Sequence, residues 1–209
     1  MKRFSLFRER GFLTSRQALV LLLLIFLAPT FVIWVMHRTG GEWWPDTTTN
    51  RGTLVQPARP LELSPDIRYG ERPLTEYLQG KWTLVYIGDN SCGDVCRENL
   101  YKMRQSRIAQ NEHMKRVQRL FIVGGGEPGP ELAGYLQEEH PQMDTVVLAA
   151  DQLGQLGGFF RIDDTPVLDA RRVYIVDPLG NLMMYYQPDA DAGGLLKDLR
   201  KLLKFSRIG

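Results

Sequence analysis

The sequence predicts an α/β domain, a sheet with helices on both faces, carried behind one membrane-spanning helix. Three observations predict it. Apolar β-like runs alternate with helical patterns from about residue 65 to residue 209, the order expected of an α/β sheet. The two cysteines of the chain, Cys92 and Cys96, stand four apart where a strand pattern gives way to a helix pattern. Near the start, residues 18–36 form 19 consecutive uncharged positions. As a helix that run reaches about 28 Å, close to the hydrocarbon thickness of a bilayer.

The first segment, residues 1–17, sets Lys2, Arg3, Arg8, Arg10 and Arg16 against Glu9, a charge of +4. The whole chain carries +2, so residues 18–209 carry −2. The basic excess belongs to the flank of the apolar run and not to the body. That argues against nucleic acid as a partner. It predicts a single-pass protein of a bacterial-type inner membrane, N-terminus cytoplasmic and C-terminal body periplasmic. A cleaved signal peptide is the competing reading. Against it, the run is longer than a usual signal core, and His37-Arg38-Thr39-Gly40-Gly41 gives no small-x-small site directly after the span. Pro29 is tolerable in a membrane helix, and Trp34, Trp43 and Trp44 suit an interfacial belt.

Residues 37–64 read as a linker, with Gly40, Gly41, Pro45, Gly52, Pro57 and Pro60 and no periodicity. A short strand over 53–55 is the one element expected there. The body, 65–209, is long enough for one hydrophobic core. Residues 74–78 suit one helical turn. Residues 82–88 read as a strand, 94–110 as a helix with a polar tail, and 117–123 as a second strand. Gly124-Gly125-Gly126 then breaks the chain, without the lysine or the spacing of a phosphate loop. Pro130 suits the first turn of a helix to 139. A β run covers 145–149 and a short helix 152–160. Residues 173–176 and 182–186 flank Asp177-Pro178-Leu179-Gly180-Asn181, a hairpin signature. Leu195, Leu196, Leu199, Leu202 and Leu203 mark a terminal amphipathic helix. The order is βαβα, then ββα, with the cysteine pair at the first strand-to-helix junction, a thioredoxin-like arrangement.

That junction is where chemistry is expected. Free N–H groups and the dipole at a helix start favour a thiolate, and a thiolate is a nucleophile or a metal ligand. Spacing of one turn permits a disulfide, which would persist outside the cytoplasm. A purely structural disulfide closing so small a loop restrains the unfolded chain little. A structural zinc site needs four ligands, more than two cysteines supply. Redox or metal chemistry therefore leads over a bare structural disulfide or a pair of buried thiols.

Gly80-Lys81-Trp82-Thr83-Leu84-Val85-Tyr86-Ile87-Gly88, then Cys92-Gly93-Asp94-Val95-Cys96, then Val176-Asp177-Pro178 with Gly180, resembles the Sco/SenC family. These are membrane-anchored, thioredoxin-fold proteins that help assemble the copper centres of cytochrome c oxidase. The resemblance covers most of 75–209 and the anchor. Gly93 stands where the family motif has proline, and Arg97 where a proline often follows the second cysteine. The family's third copper ligand, a histidine, falls by counting on Asp169. His37, His113 and His140 lie elsewhere, His140 suggesting a surface cap at a helix end. A carboxylate suits Cu(I) poorly.

The resemblance thus implies a divergent member with its dithiol intact. Cys92 and Cys96 are the expected catalytic residues, exchanging disulfides with an oxidase subunit or another copper chaperone. Cys92 is expected to be the more exposed and to attack first, with Cys96 resolving. In the alternative reading Cys92 and Cys96 bind copper, the third ligand coming from Asp169, a methionine or the partner. A non-catalytic assembly scaffold is the remaining reading. Asp94 is a local acid/base candidate or simply a helix-start carboxylate. Pro166 is a candidate for the cis-proline that thioredoxin-like folds set opposite their cysteines. Arg171 and Arg172 read as a solvated loop or as contacts for an anionic partner.

Overall fold

The computed structural model describes residues 14–38 and 49–208. Most of the basic flank, and the linker stretch 39–48 with Trp43 and Trp44, lie outside the described residues. The chain divides into two units, Met1–Thr49 and Asn50–Gly209.

In the first unit, α1 (Ser15–Arg38) contains the apolar run, with Pro29 inside it. Thr14 and Gln17 begin the helix reciprocally: the Thr14 N–H donates to Gln17 Oε1 (2.9 Å) and the Gln17 N–H to Thr14 Oγ1 (3.4 Å). Its leucines, isoleucines and phenylalanines are exposed on every side. The segment Ser15–Val35, 21 residues, is long and apolar enough to cross a membrane.

The second unit is a mixed six-stranded sheet. In chain order its elements are β1 (Thr53–Pro60), β2 (Arg68–Tyr69), β3 (Arg72–Pro73), α2 (Leu74–Tyr77), β4 (Trp82–Asp89), α3 (Asp94–Ile108), β5 (Val117–Gly124), α4 (Pro130–Glu139), β6 (Asp144–Val147), α5 (Ala150–Phe160), α6 (Val167–Ala170), β7 (Val173–Val176), β8 (Asn181–Tyr186) and α7 (Ala192–Phe205). A 3₁₀ turn, Asn111–Arg116, occupies the polar tail foreseen after α3. The strand order is β1-β8-β7-β4-β5-β6, with β2 and β3 forming a separate hairpin. Strands β4, β5 and β6 are parallel, and β7, β8 and β1 add antiparallel.

Alternation along the central strands divides the core between the two faces of the sheet. Leu84, Tyr86, Phe121, Val123 and Ile175 face the side of α3, α4 and α7, with Leu100, Met103, Leu132 and Leu199. Val85, Ile87, Leu120, Ile122 and Tyr174 face the side of α2 and α5, with Leu74, Leu156 and Phe160. Because β4 is covered on both sides, Trp82 through Gly88 are all buried. The hairpin signature folds as foreseen. Asp177 Oδ1 accepts the N–H groups of Leu179 and Asn181, both at 2.9 Å, and Gly180 takes φ +87°. The start of the unit is clamped by the buried Asp198. Its Oδ2 accepts the N–H groups of Arg51 (2.7 Å) and Gly52 (2.9 Å) and the Tyr186 hydroxyl (2.8 Å).

Two expectations need correction. The segment 37–64 is not linker throughout, because Thr53–Pro60 is a full edge strand on β8. Pro166 is not a cis-proline: the cis bond among the described residues is Gln56–Pro57, and Pro166 caps the start of α6.

Candidate functional site

The site forms where the fully buried β4 runs out into the loop before α3. Asp89 ends the strand and organises that loop. Its Oδ1 accepts the N–H groups of Ser91 (2.9 Å) and Cys92 (3.0 Å) and the Ser91 hydroxyl (2.5 Å). The Ser91 hydroxyl and these N–H groups hold the Asp89 carboxyl below the usual carboxylate range, with Arg171 assisting. Asn90 ties the loop to the end of β5 through the Gly125 carbonyl (3.1 Å). Cys92 then takes φ +42°, a left-handed conformation uncommon for a residue with a side chain. Gly93 follows as the cap before α3. A proline there would disfavour the conformation Cys92 adopts, which gives this chain's departure from the motif a local reason.

Cys96 sits in the first turn of α3, and the structure joins it to Cys92 in a disulfide with a Cα–Cα distance of 5.1 Å. The pair is therefore brought together as the spacing foresees. Its exposure is not as foreseen. Cys92 is 1% exposed and Cys96 6%, both within the apolar layer between β4 and α3. The left-handed turn carries Cys92 inward, so the expected order, Cys92 outermost, is reversed. Arg97 holds the outer side of this turn: its Nε donates to the Cys92 carbonyl (3.3 Å), its guanidinium lies 4.8 Å over the Tyr135 ring, and it pairs with Glu131 (2.6 Å).

A polar pocket of about 280 Å³ opens beside the disulfide, and Cys96, not Cys92, lines it. Tyr86 and Asp89 from β4, Asp94 at the start of α3, and Leu168 and Arg171 from the α6 region are its other principal walls. Burial pushes the Tyr86 hydroxyl up to about 12, offset in part by Asn99 and Arg171. Asn99, itself buried, donates to the Arg171 carbonyl (3.1 Å) and so fixes the residue after α6, which has φ +47°. Asp89 and Asn99 carry no motif signal and Arg97 shows only as a departure from the motif; the loop geometry exposes the part of all three.

Other candidates fall away from the pocket. Asp169 lines a separate groove of about 480 Å³ beside α5, so counting along the chain does not deliver it to the cysteines. Arg172 is not a solvated loop residue. It is 5% exposed and paired with Asp163 (2.5 Å), which holds that carboxyl well below its usual range. His140 is not a surface cap. It is 2% exposed, between Arg119 Nη1 (3.2 Å from Nδ1) and the Tyr135 hydroxyl (3.0 Å from Nε2). His113 lies 3.7 Å from Glu112 in the 3₁₀ turn. The side chain of His37 is outside the described residues. Among the described residues, no three of His, Cys, Asp and Glu gather to hold a metal ion. A cysteine pair with one member, Cys96, lining a pocket can pass two electrons to or from a partner thiol pair without a metal. To hold Cu(I) at three positions the two cysteines need a donor from elsewhere.

The family described as "Transmembrane-like, thioredoxin-like, C-terminal domain" matches residues 82–206. The mitochondrial SCO2 homologue of Bos taurus is 26% identical over 137 residues, 59% of this chain and 52% of that one. The chain spans about half the length of the first such relatives it matches. The crystal structure of Arabidopsis thaliana ScoI with copper bound has the same fold, with a TM-score of 0.53 at 21% identity, over 63% of this chain and 89% of that one. Yeast Sco1 with copper bound gives a TM-score of 0.53 at 21% identity, over 63% and 84%.

Proposed function

From a chain that belongs to the transmembrane-like, thioredoxin-like C-terminal domain family and is similar to SCO2 homologues, we propose a divergent Sco/SenC-type protein without the copper-ligand histidine, a membrane-anchored thiol–disulfide exchange protein that serves cytochrome c oxidase assembly. The observation that carries the reading is the Cys92–Cys96 disulfide beside a polar pocket at the strand-to-helix junction. Its partner is an oxidase subunit or another copper chaperone. The basic flank of the sequence and the apolar length of α1 support a location of the exchange domain on the periplasmic side of a bacterial-type inner membrane.

Exchange begins at Cys96, the sulfur on the pocket side. A partner thiolate attacks Cys96 Sγ, the Cys92–Cys96 bond breaks, and Cys92 leaves as the thiolate. A second partner thiol then attacks the partner's sulfur of the mixed disulfide and releases Cys96. Two electrons and two protons pass to the chain, and the partner keeps the disulfide. The reverse sequence reduces a partner. The N-terminus of α3 and the Arg171 guanidinium at the pocket both favour the anionic sulfur that each half-reaction produces. Burial of Cys92 keeps other thiols off the second sulfur.

The test is trapping in membranes that express the full chain. With one cysteine replaced, a mixed disulfide can no longer be resolved by the chain's own second thiol, the route that reduction of a partner takes. Cys92→Ser is expected to accumulate the adduct more than Cys96→Ser, because it leaves the pocket-side thiol in place. Adducts from neither variant, with oxidase assembly intact in the double serine variant, contradict exchange and favour a scaffold. Cu(I) bound at one per chain and lost in Cys92→Ser, again without adducts, favours copper as the cargo.

A further inference from the structure

A second pocket, of about 300 Å³, lies on the α3 and α4 side of the sheet and shares no wall with the cysteine pocket. Three guanidinium-bearing residues line it: Arg104 and Arg107 from α3, and Arg119 from β5. Gln142 adds a polar wall, and Ile108 and Pro141 apolar ones.

Arg119 is the residue the fold does not explain. Alternation along β5 sets it between Val117 and Phe121, on the face that α3 and α4 cover, and it is 3% exposed. A cation removed from water is costly unless an anion pairs with it. Among the described residues, Arg119 has no carboxylate partner. Its side chain makes one hydrogen bond, to His140 Nδ1, and its Nε has none. The neighbouring carboxylates are taken. Glu139 pairs with Arg104 (3.0 Å). Asp144 lies in register with Leu120, on the other face of the sheet, and accepts the hydroxyls of Tyr69 and Tyr77, each at 2.5 Å. Arg107 is fixed from behind by the Val117 carbonyl (2.7 Å) and by Gln142 Oε1 (2.5 Å). Burial, with the Arg107 and Arg104 charges and against a smaller opposing pull from Asp144, pushes Arg119 down to about 10. The three cations repel one another around a space of their own.

We propose that this pocket binds an oxyanion of the phosphate class, either free phosphate or the phosphate of a lipid headgroup. Arg119 forms its floor, and Arg104 and Arg107 its walls. Guanidinium forks match phosphate oxygens two at a time, and a dianion offsets the positive excess that three guanidinium groups keep over the engaged Glu139 and Asp144 carboxylates. Arg104 is free to trade Glu139 for the ligand, since that ion pair is partly exposed.

The experiment uses the full chain in neutral detergent, titrated calorimetrically at constant ionic strength. One arm uses inorganic phosphate against chloride, the other a short-chain phosphatidylglycerol below its micelle concentration. The tighter-binding probe identifies the source. Saturable one-to-one binding is expected, weaker by about tenfold in Arg104→Gln and abolished in Arg119→Met. Arg119→Met is also expected to be no less stable than the parent without phosphate, because it removes an unpaired buried charge. Should Arg119→Met fail to fold, Arg104→Gln decides. No binding of either probe, or binding equal in the parent and Arg104→Gln, overturns the proposal.

Discussion

Reducing the Cys92–Cys96 bond separates an exchange centre from a structural staple. The bond closes a loop of five residues, counted from Cys92 through Cys96. The chain-entropy relation assigns such a loop about 2 kcal/mol at 25 °C, against about 3 kcal/mol for fifteen residues. The second unit, Asn50–Gly209, has a size at which 1 kcal/mol moves the midpoint by about 2–4 °C, so reduction should lower Tm by about 4–8 °C. The surrounding layer supports this ceiling, because Leu84, Leu100, Phe121 and Leu199 are fully buried by packing between the sheet and its helices, apolar area that does not come from the sulfur–sulfur bond. The assay is thermal unfolding with and without a phosphine reductant. Reductant is preferable to serine substitution, which adds a buried hydroxyl that costs about 1–3 kcal/mol when unsatisfied. A loss beyond about 4 kcal/mol, or loss of cooperative unfolding, would refute the reasoning and mark the disulfide as structural.

Two further predictions concern the frame around the site. Burial, with the Arg119 and Arg104 charges, pulls His140 down to about 4 from 6.5, against a smaller opposing pull from Glu139. The unfolded chain therefore binds this proton first. The stability from a neutral His140 is complete above pH 6.5 and is lost as the pH falls toward 4, by at most about 3 kcal/mol. His140→Gln should flatten the stability profile in that window, as read by denaturant titrations at successive pH values, and an unchanged slope contradicts it. Asp198→Ala leaves two N–H groups and the Tyr186 hydroxyl without their shared acceptor. It should cost roughly 3–5 kcal/mol in chemical unfolding, and a loss under about 1 kcal/mol contradicts the clamp.

Much of the frame is legible in the residues. The β-branched and aromatic run before the cysteines, the proline at the start of α4, and Asp177 with Gly180 in the hairpin each determine their local structure directly. What escapes is set by tertiary contact. Strand β1 carries Pro57 and Pro60 and shows little alternation of burial, as an edge strand can, so it reads as linker. The cysteine spacing is visible, but the inward turn at Cys92 depends on the Asp89 carboxylate gathering the N–H groups ahead of it. Counting to a third copper ligand reaches Asp169. The one-turn helix α6 instead turns Leu168 and Arg171 toward the cysteines and leaves Asp169 beside α5. His140 and Arg119 look like surface residues taken singly. Their burial follows from each other and from Tyr135.

The central claim is tested most directly by the reduction potential of the Cys92–Cys96 couple in the full chain, equilibrated against defined thiol–disulfide buffers. An exchange centre predicts a midpoint above about −300 mV, within reach of cellular dithiol couples. A midpoint below that value would place the pair with structural disulfides and contradict the account.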